Sequence, residues 1–134
     1  MQLTVRTPLR GTDPWGSGHF GASRGRRLHM GVDFAAAPDS VLLSPVTGKV
    51  TKHGYPYSDD LSYRYIQIVD KNGWRHRFFY VDPIPVLDST VEVGDEIGKV
   101  QDISTRYPVP KGMKCHIHYE IIDKNGNYVE PGKE

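Results

Sequence analysis

Apolar and polar positions along this chain nowhere settle into a helical period. Fourteen Gly and ten Pro interrupt the sequence every few residues, which leaves little room for a helix of about 10–12 residues. What remains between the turn signals are short β-prone runs. Val46 to Thr51 is one. Tyr63 to Val69 is a second and alternates as a half-buried strand does. Asp70-Lys71-Asn72-Gly73 follows, a turn with Gly where positive φ is tolerated. Trp74 to Tyr80 then returns, so 63–80 reads as one hairpin. Val91 to Val93 and Glu96 to Val100 are two shorter extended pieces around Gly94-Asp95. His116 to Ile122 is a strand closed by Asp123-Lys124-Asn125-Gly126, a second copy of the same turn chemistry rather than a sign of a repeat. Residues 1–28 are loop-like, with Gly at 11, 16, 18, 21 and 25, and loops of that length are usually functional or disordered. The expected fold is all-β: an antiparallel sheet sandwich or barrel-like domain with a long N-terminal loop and little or no helix.

The 134 residues suit one domain spanning 1–134, large enough to bury a core unaided. Formal net charge is +1, so no global field points to nucleic acid or to a membrane surface. Residues 1–53 carry seven Lys/Arg against three Asp/Glu, with Arg24, Arg26 and Arg27 clustered. That is a solvated basic loop, or an attractor for an anionic, carboxylate-bearing ligand. Cys115 is the sole cysteine, which rules out an intrachain disulfide and predicts buried packing for that thiol. The first residues hold no apolar run long enough for a signal peptide or a membrane span, and the compartment stays unknown on sequence grounds.

The chemistry concentrates in two short motifs, His29-Met30-Gly31-Val32-Asp33 and His116-Ile117-His118. Imidazole nitrogen and carboxylate oxygen are both zinc ligands. On a strand, His116 and His118 emerge on one face, roughly 6–7 Å apart at Cα. One can then bind a metal while the other touches a metal-bound water. His29 and Asp33 would stand about 13 Å apart if fully extended. Both reach one ion only if the chain bends, and Gly31 permits the bend. Each motif alone has a plain reading, surface or core packing for the His pair and a capping Asp for the other.

Taken together, with Phe34-Ala35-Ala36-Ala37 after the first motif and Val91-Glu92-Val93-Gly94-Asp95-Glu96-Ile97-Gly98-Lys99-Val100 between the two, they resemble the lysostaphin/LytM-type zinc peptidases of bacterial cell walls. The resemblance spans residues 16–120. It implies one zinc held by His29, Asp33 and His118, and His116 as a catalytic base or transition-state stabiliser. Three protein ligands leave a fourth position open, as in a catalytic zinc site. The implied function is zinc-dependent endopeptidase cleavage of peptide stems or cross-bridges of bacterial peptidoglycan, by a monomer, in the cell wall or periplasm.

One stretch departs from that family. Its members carry a second catalytic His in a Tyr-x-His-Leu pattern, whereas Phe78-Phe79-Tyr80-Val81-Asp82-Pro83-Ile84 has none. Asp82 stands at the His place if Tyr80 matches the family Tyr, and Val81 does if Phe79 matches. Tyr80 is a candidate oxyanion donor in place of the missing imidazole. The Phe79-Tyr80-Val81-Asp82-Pro83-Ile84 run, with segments 18–24 and 106–108, is similar to the leukocyte chemotaxin branch of animals, thought to bind zinc without peptidase activity. That resemblance supports an alternative: a catalytically weak or inactive zinc-binding module that holds a wall fragment or a protein partner. His53 and His76 are expected to be exposed or locally hydrogen-bonded. His76 shares strand parity with Tyr80 and so is placed on its face. His19 is a candidate groove residue, and Trp15 and Trp74 are core or groove walls.

Overall fold

The computed structural model describes residues 2–3, 12–13, 16–17, 23–24, 27–28, 31–106 and 115–129. In chain order the strands are β1 (Gln2–Leu3), β2 (Thr12–Asp13), β3 (Gly16–Ser17), β4 (Ser23–Arg24), β5 (Arg27–Leu28), β6 (Val32–Ala35), β7 (Val41–Leu43), β8 (Gly48–Gly54), β9 (Tyr65–Asp70), β10 (Arg75–Phe79), β11 (Val81–Pro83), β12 (Thr90–Val91), β13 (Glu96–Val100), β14 (His116–Ile122) and β15 (Tyr128–Val129). A single 3₁₀ turn at Ile103–Arg106 is the helical element among the described residues. The fold is all-β, as the missing helical period predicts. Within the stretch expected to be loop, the described residues form five two-residue strand pieces, with β2 pairing β3 and β4 pairing β5.

Two sheets build the body. The larger runs β12-β8-β9-β10-β14-β15, with β6 also paired to β14. The smaller runs β1-β7-β13-β11. Pairing is antiparallel except between β1 and β7. The 65–79 hairpin has Tyr65 opposite Phe79 and Val69 opposite Arg75. Its turn forms because the Asp70 carboxylate accepts from the amides of Asn72 at 2.9 Å and Trp74 at 3.1 Å, while Gly73 adopts φ +80°. Asp123 holds the second turn by the same i+2 and i+4 bonds, to Asn125 and Asn127, both 2.9 Å.

The strand expected from Val46 begins at Gly48. Ser44 donates its hydroxyl to the Val46 carbonyl at 2.6 Å and accepts from the Val46 amide, so a side-chain bend precedes the ladder. The strand then continues to Gly54 through a bulge between Val50 and Lys52.

Alternation on the large sheet sorts two faces. Ile117, Tyr119 and Ile121 of β14, Phe78 of β10, Ile66 and Ile68 of β9 and Val50 of β8 join Leu42, Val81, Ile97 and Val100 in one buried core. A fully buried Ile is worth about 1.5–3 kcal/mol relative to exposure, so this face fixes the register. The opposite face of the same strands carries Tyr65, Gln67, Arg77, Phe79, His116, His118 and Glu120.

Candidate metal and catalytic site

Strand β14 delivers His116, His118 and Glu120 to one face because they share parity. Strand β6 runs antiparallel beside it, with Asp33 directly opposite His118. That pairing brings together groups 85 residues apart: His118 Nδ1 lies 2.9 Å from Asp33 Oδ1. On the other side of the ring, His118 Nε2 lies 3.0 Å from Glu120 Oε1. His116 Nε2 stands 3.7 Å from Asp33 Oδ2. Asp33 and His116 are 2% and 3% exposed, so the charge of this cluster is shielded from water and its members answer to one another.

Both ring nitrogens of His118 face carboxylate oxygens. Burial by itself pushes this imidazole down, but the hydrogen bonds it donates to Asp33 and then Glu120, with their two negative charges, outweigh it and raise its pKa to about 9. The arrangement therefore favours a cation near neutral pH. With no metal bound it is the second ring proton. A divalent ion meets the same demand once the hydrogen-bonded pair opens, since two donors on one tetrahedral zinc stand about 3.3 Å apart against 2.9 Å between Nδ1 and Oδ1 here. Asp33 and His118 are thus two of the three expected ligands in mutual contact. The third, His29, lies outside the described residues, as do His19 and Trp15. Among the described residues, no group of three metal-binding side chains is preformed.

Gly31 matters through space rather than through a left-handed backbone. A Cβ there would sit 2.5 Å from the Tyr119 carbonyl and 2.7–2.8 Å from the His118 ring, so the chain entering β6 lies flat on the imidazole.

Tyr80 is the residue of the 80–82 stretch that meets His116. The two rings lie 5.5 Å apart and edge to face at 85°. Tyr80 has φ +69°, a left-handed value that non-glycine residues rarely adopt. Its amide and that of Val81 both bond the Arg64 carbonyl, which holds the strained turn. Val81 is fully buried in the core, and Asp82 is exposed on β11 opposite Lys99.

The left-handed residue also breaks strand alternation, and this overturns the parity expectation for His76. That side chain points into the core, 1% exposed. Its Nε2 bonds Asp70 at 2.8 Å and its Nδ1 the Tyr119 hydroxyl at 2.7 Å. His53 Nε2 donates to the Pro85 carbonyl at 2.8 Å. Trp74 packs against the core, as does Cys115, whose thiol is pushed up to about 11 by burial and by the neighbouring Asp102 and is poorly nucleophilic.

Two participants escaped the sequence reading. Glu120 was legible in principle, two residues beyond His118 on the same strand face. Tyr57 was not, since it sits in a turn-rich segment without periodicity. Its ring stacks on Tyr80 at 6.1 Å, and its hydroxyl donates to that of Tyr80 at 3.4 Å.

An all-β two-sheet domain with a His and carboxylate cluster on the outer face of its larger sheet is the class this geometry defines. The model of Peptidase family M23 matches residues 27–131, and the chain belongs to that family. It is 29% identical over 117 residues to leukocyte cell-derived chemotaxin-2 of Mus musculus, covering 87% of this chain and 75% of that protein. Among solved structures, LytU superposes with TM-score 0.68 at 22% identity, over 87% of this chain and 81% of that one. The catalytic domain of the antimicrobial peptidase lysostaphin from Staphylococcus simulans does so with TM-score 0.67 at 17% identity, over 87% and 88%. Among the described residues, no helix is long and apolar enough to cross a membrane.

Proposed function

We propose that this chain is a zinc-dependent endopeptidase acting on peptide stems or cross-bridges of bacterial peptidoglycan, with zinc held by His29, Asp33 and His118. The observation that carries the reading is the Asp33–His118 contact with His116 alongside and Tyr80 against His116. Zinc in such a site supplies Lewis acidity, polarising a carbonyl and making water a better nucleophile near neutral pH. The chain's own groups do the rest. His116 takes the proton of the attacking water at a ring nitrogen and passes it toward the leaving amine. Tyr80 donates its hydroxyl proton to the developing oxyanion, and its stack with Tyr57 limits where that hydroxyl can go. Burial of Asp33 beside His116 keeps the carboxylate's field on the ring strong.

The test is hydrolysis of purified peptidoglycan and of short glycine- or alanine-rich peptides, with products read by mass. Wild type is expected to cut weakly, because a positioned acid or base is worth about 10²–10⁴ in rate and one is absent. His116→Ala is expected to abolish what remains. Tyr80→Phe is expected to lower kcat by about 10²-fold with little change in KM, as for a bond made in the transition state. Asp82→Asn, on the exposed side of β11, is expected to behave as wild type.

A second reading has its own observation: the likeness to a chemotaxin over 87% of this chain, together with Tyr80 where an imidazole is absent. In that reading zinc is a structural clip and the groove binds a wall fragment or a protein partner. Wild type that holds zinc and binds wall fragments without cutting any peptide establishes it over the enzyme.

A further inference from the structure

We infer that Glu120, braced by Arg77, is the positioning residue that fixes which nitrogen of His118 faces Asp33 and the metal; this rests on the zinc reading above. A neutral imidazole carries one N–H and one lone pair. Asp33 approaches Nδ1 at 2.9 Å and Glu120 approaches Nε2 at 3.0 Å. With a cation beside Asp33 the single proton belongs on Nε2, where Glu120 stands ready to accept it at 3.0 Å, and the Nδ1 lone pair is left for the cation. Without Glu120 the remaining carboxylate draws the proton to Nδ1 and closes the ligand position. Glu120 is 8% exposed and needs its own counterion. Arg77 supplies it, with Nη1 3.5 Å from Glu120 Oε2. Arg77 is in turn aimed by Gln67, whose Oε1 accepts from Arg77 Nε at 2.7 Å, and Gln67 donates to the Thr51 hydroxyl at 3.0 Å. The resulting polar chain crosses β8, β9, β10, β14 and β6, so the aim of one ring nitrogen is set by side chains up to three strands away.

The experiment measures zinc affinity by competition with a chromophoric chelator, for wild type, Glu120→Gln, Glu120→Ala, Arg77→Met, Asp33→Ala and His118→Ala. Thermal melts of the metal-free proteins run alongside, and nitrogen-15 spectra of the zinc-loaded imidazoles identify the bound nitrogen. Zinc binding is expected to weaken about 10–100-fold in Glu120→Ala. Glu120→Gln keeps the shape, so its fold is preserved, and it is expected to lose about tenfold; Arg77→Met falls between it and wild type. Zinc-loaded wild type should show Nδ1 of His118 on the metal and a proton on Nε2. Unchanged affinity in both Glu120 variants, or only a lowered melting temperature, overturns the proposal, as does metal on Nε2. If wild type itself binds no zinc, or binds it as well after His118→Ala and Asp33→Ala, the zinc reading falls as well. That pattern is distinct from loss of the Glu120 effect alone.

Discussion

At the scale of single residues, the site is built by close approach and by one cation demand. Gly31 has no room for a side chain over the His118 ring. Gly31→Ala is expected to shift β6 or the ring, to cost about 1–3 kcal/mol as overpacking does, and to weaken zinc binding at least tenfold; chemical denaturation and chelator competition read the two effects. His118 gives a pH prediction whose sign follows from its raised pKa. In the metal-free protein this ring holds its extra proton up to about pH 9, so zinc must displace a proton to bind. Apparent zinc affinity should therefore climb about tenfold per pH unit from pH 7 to 9 and level off above that. Stability of the chelator-treated protein should run the other way. The contribution of protonated His118 is complete below the unfolded value near 6.5 and is lost as pH rises through about 9. Melting temperatures across pH 6–10 check it.

Elements show the same economy. The 65–79 hairpin is tied to β14 through its turn: Asp70 closes the turn with two amide bonds and also bonds Nε2 of the buried His76, whose Nδ1 lies 2.7 Å from the Tyr119 hydroxyl. Burial pushes the Asp70 carboxyl up, and the bond from His76 with those from Trp74 and Asn72 pulls it further down, for a net lowering. A depressed carboxylate contributes its stability above its unfolded pKa and loses it as pH falls through the folded one. Asp70→Asn is expected to cost about 1.5–3 kcal/mol near neutral pH, as for hydrogen bonds to a charged group. The gap to wild type should shrink below about pH 4, where the unfolded carboxyl starts to protonate. Urea titrations at pH 7 and pH 3 measure this. In the twin turn the half-buried Asp123 bonds the local amides of Asn125 and Asn127 rather than a buried side chain, so the analogous Asp123→Asn change should be milder.

For the whole molecule, the two sheets share one core while the site sits on the far face of the larger one. Stability and site geometry are thus coupled through the register of β14, which contributes to both. Zinc bound to the native state alone stabilises it by mass action, about 4 kcal/mol when its free concentration is a thousand times Kd. Removing it with a chelator is expected to lower the melting temperature by several degrees. Restoring zinc should reverse the change in wild type and not in Asp33→Ala. A calorimetric scan before and after chelation is the measurement.

The amino-acid sequence by itself determined the all-β class, a hairpin read as 63–80 whose paired strands span 65–79, strand β14 with its parity, and both Asp-Lys-Asn-Gly turns, because each depends on alternation or on bonds spanning two to four residues. It also carried the family pattern, in motifs short enough to read without a structure. It did not show β6, β7 or β11, whose three or four residues are too few for a period and exist as strands only through pairing. Nor did it place Asp33 against His118, since that contact follows from which strand lies beside β14. The fate of Tyr80 was decided by its own left-handed backbone: alternation assumes extended backbone at every step, and at φ +69° the step fails, so Tyr80 leaves the core face that His76 shares with Phe78. Tertiary packing then put Tyr80 on His116, sent His76 into the core, and set Glu120 against Nε2 of His118.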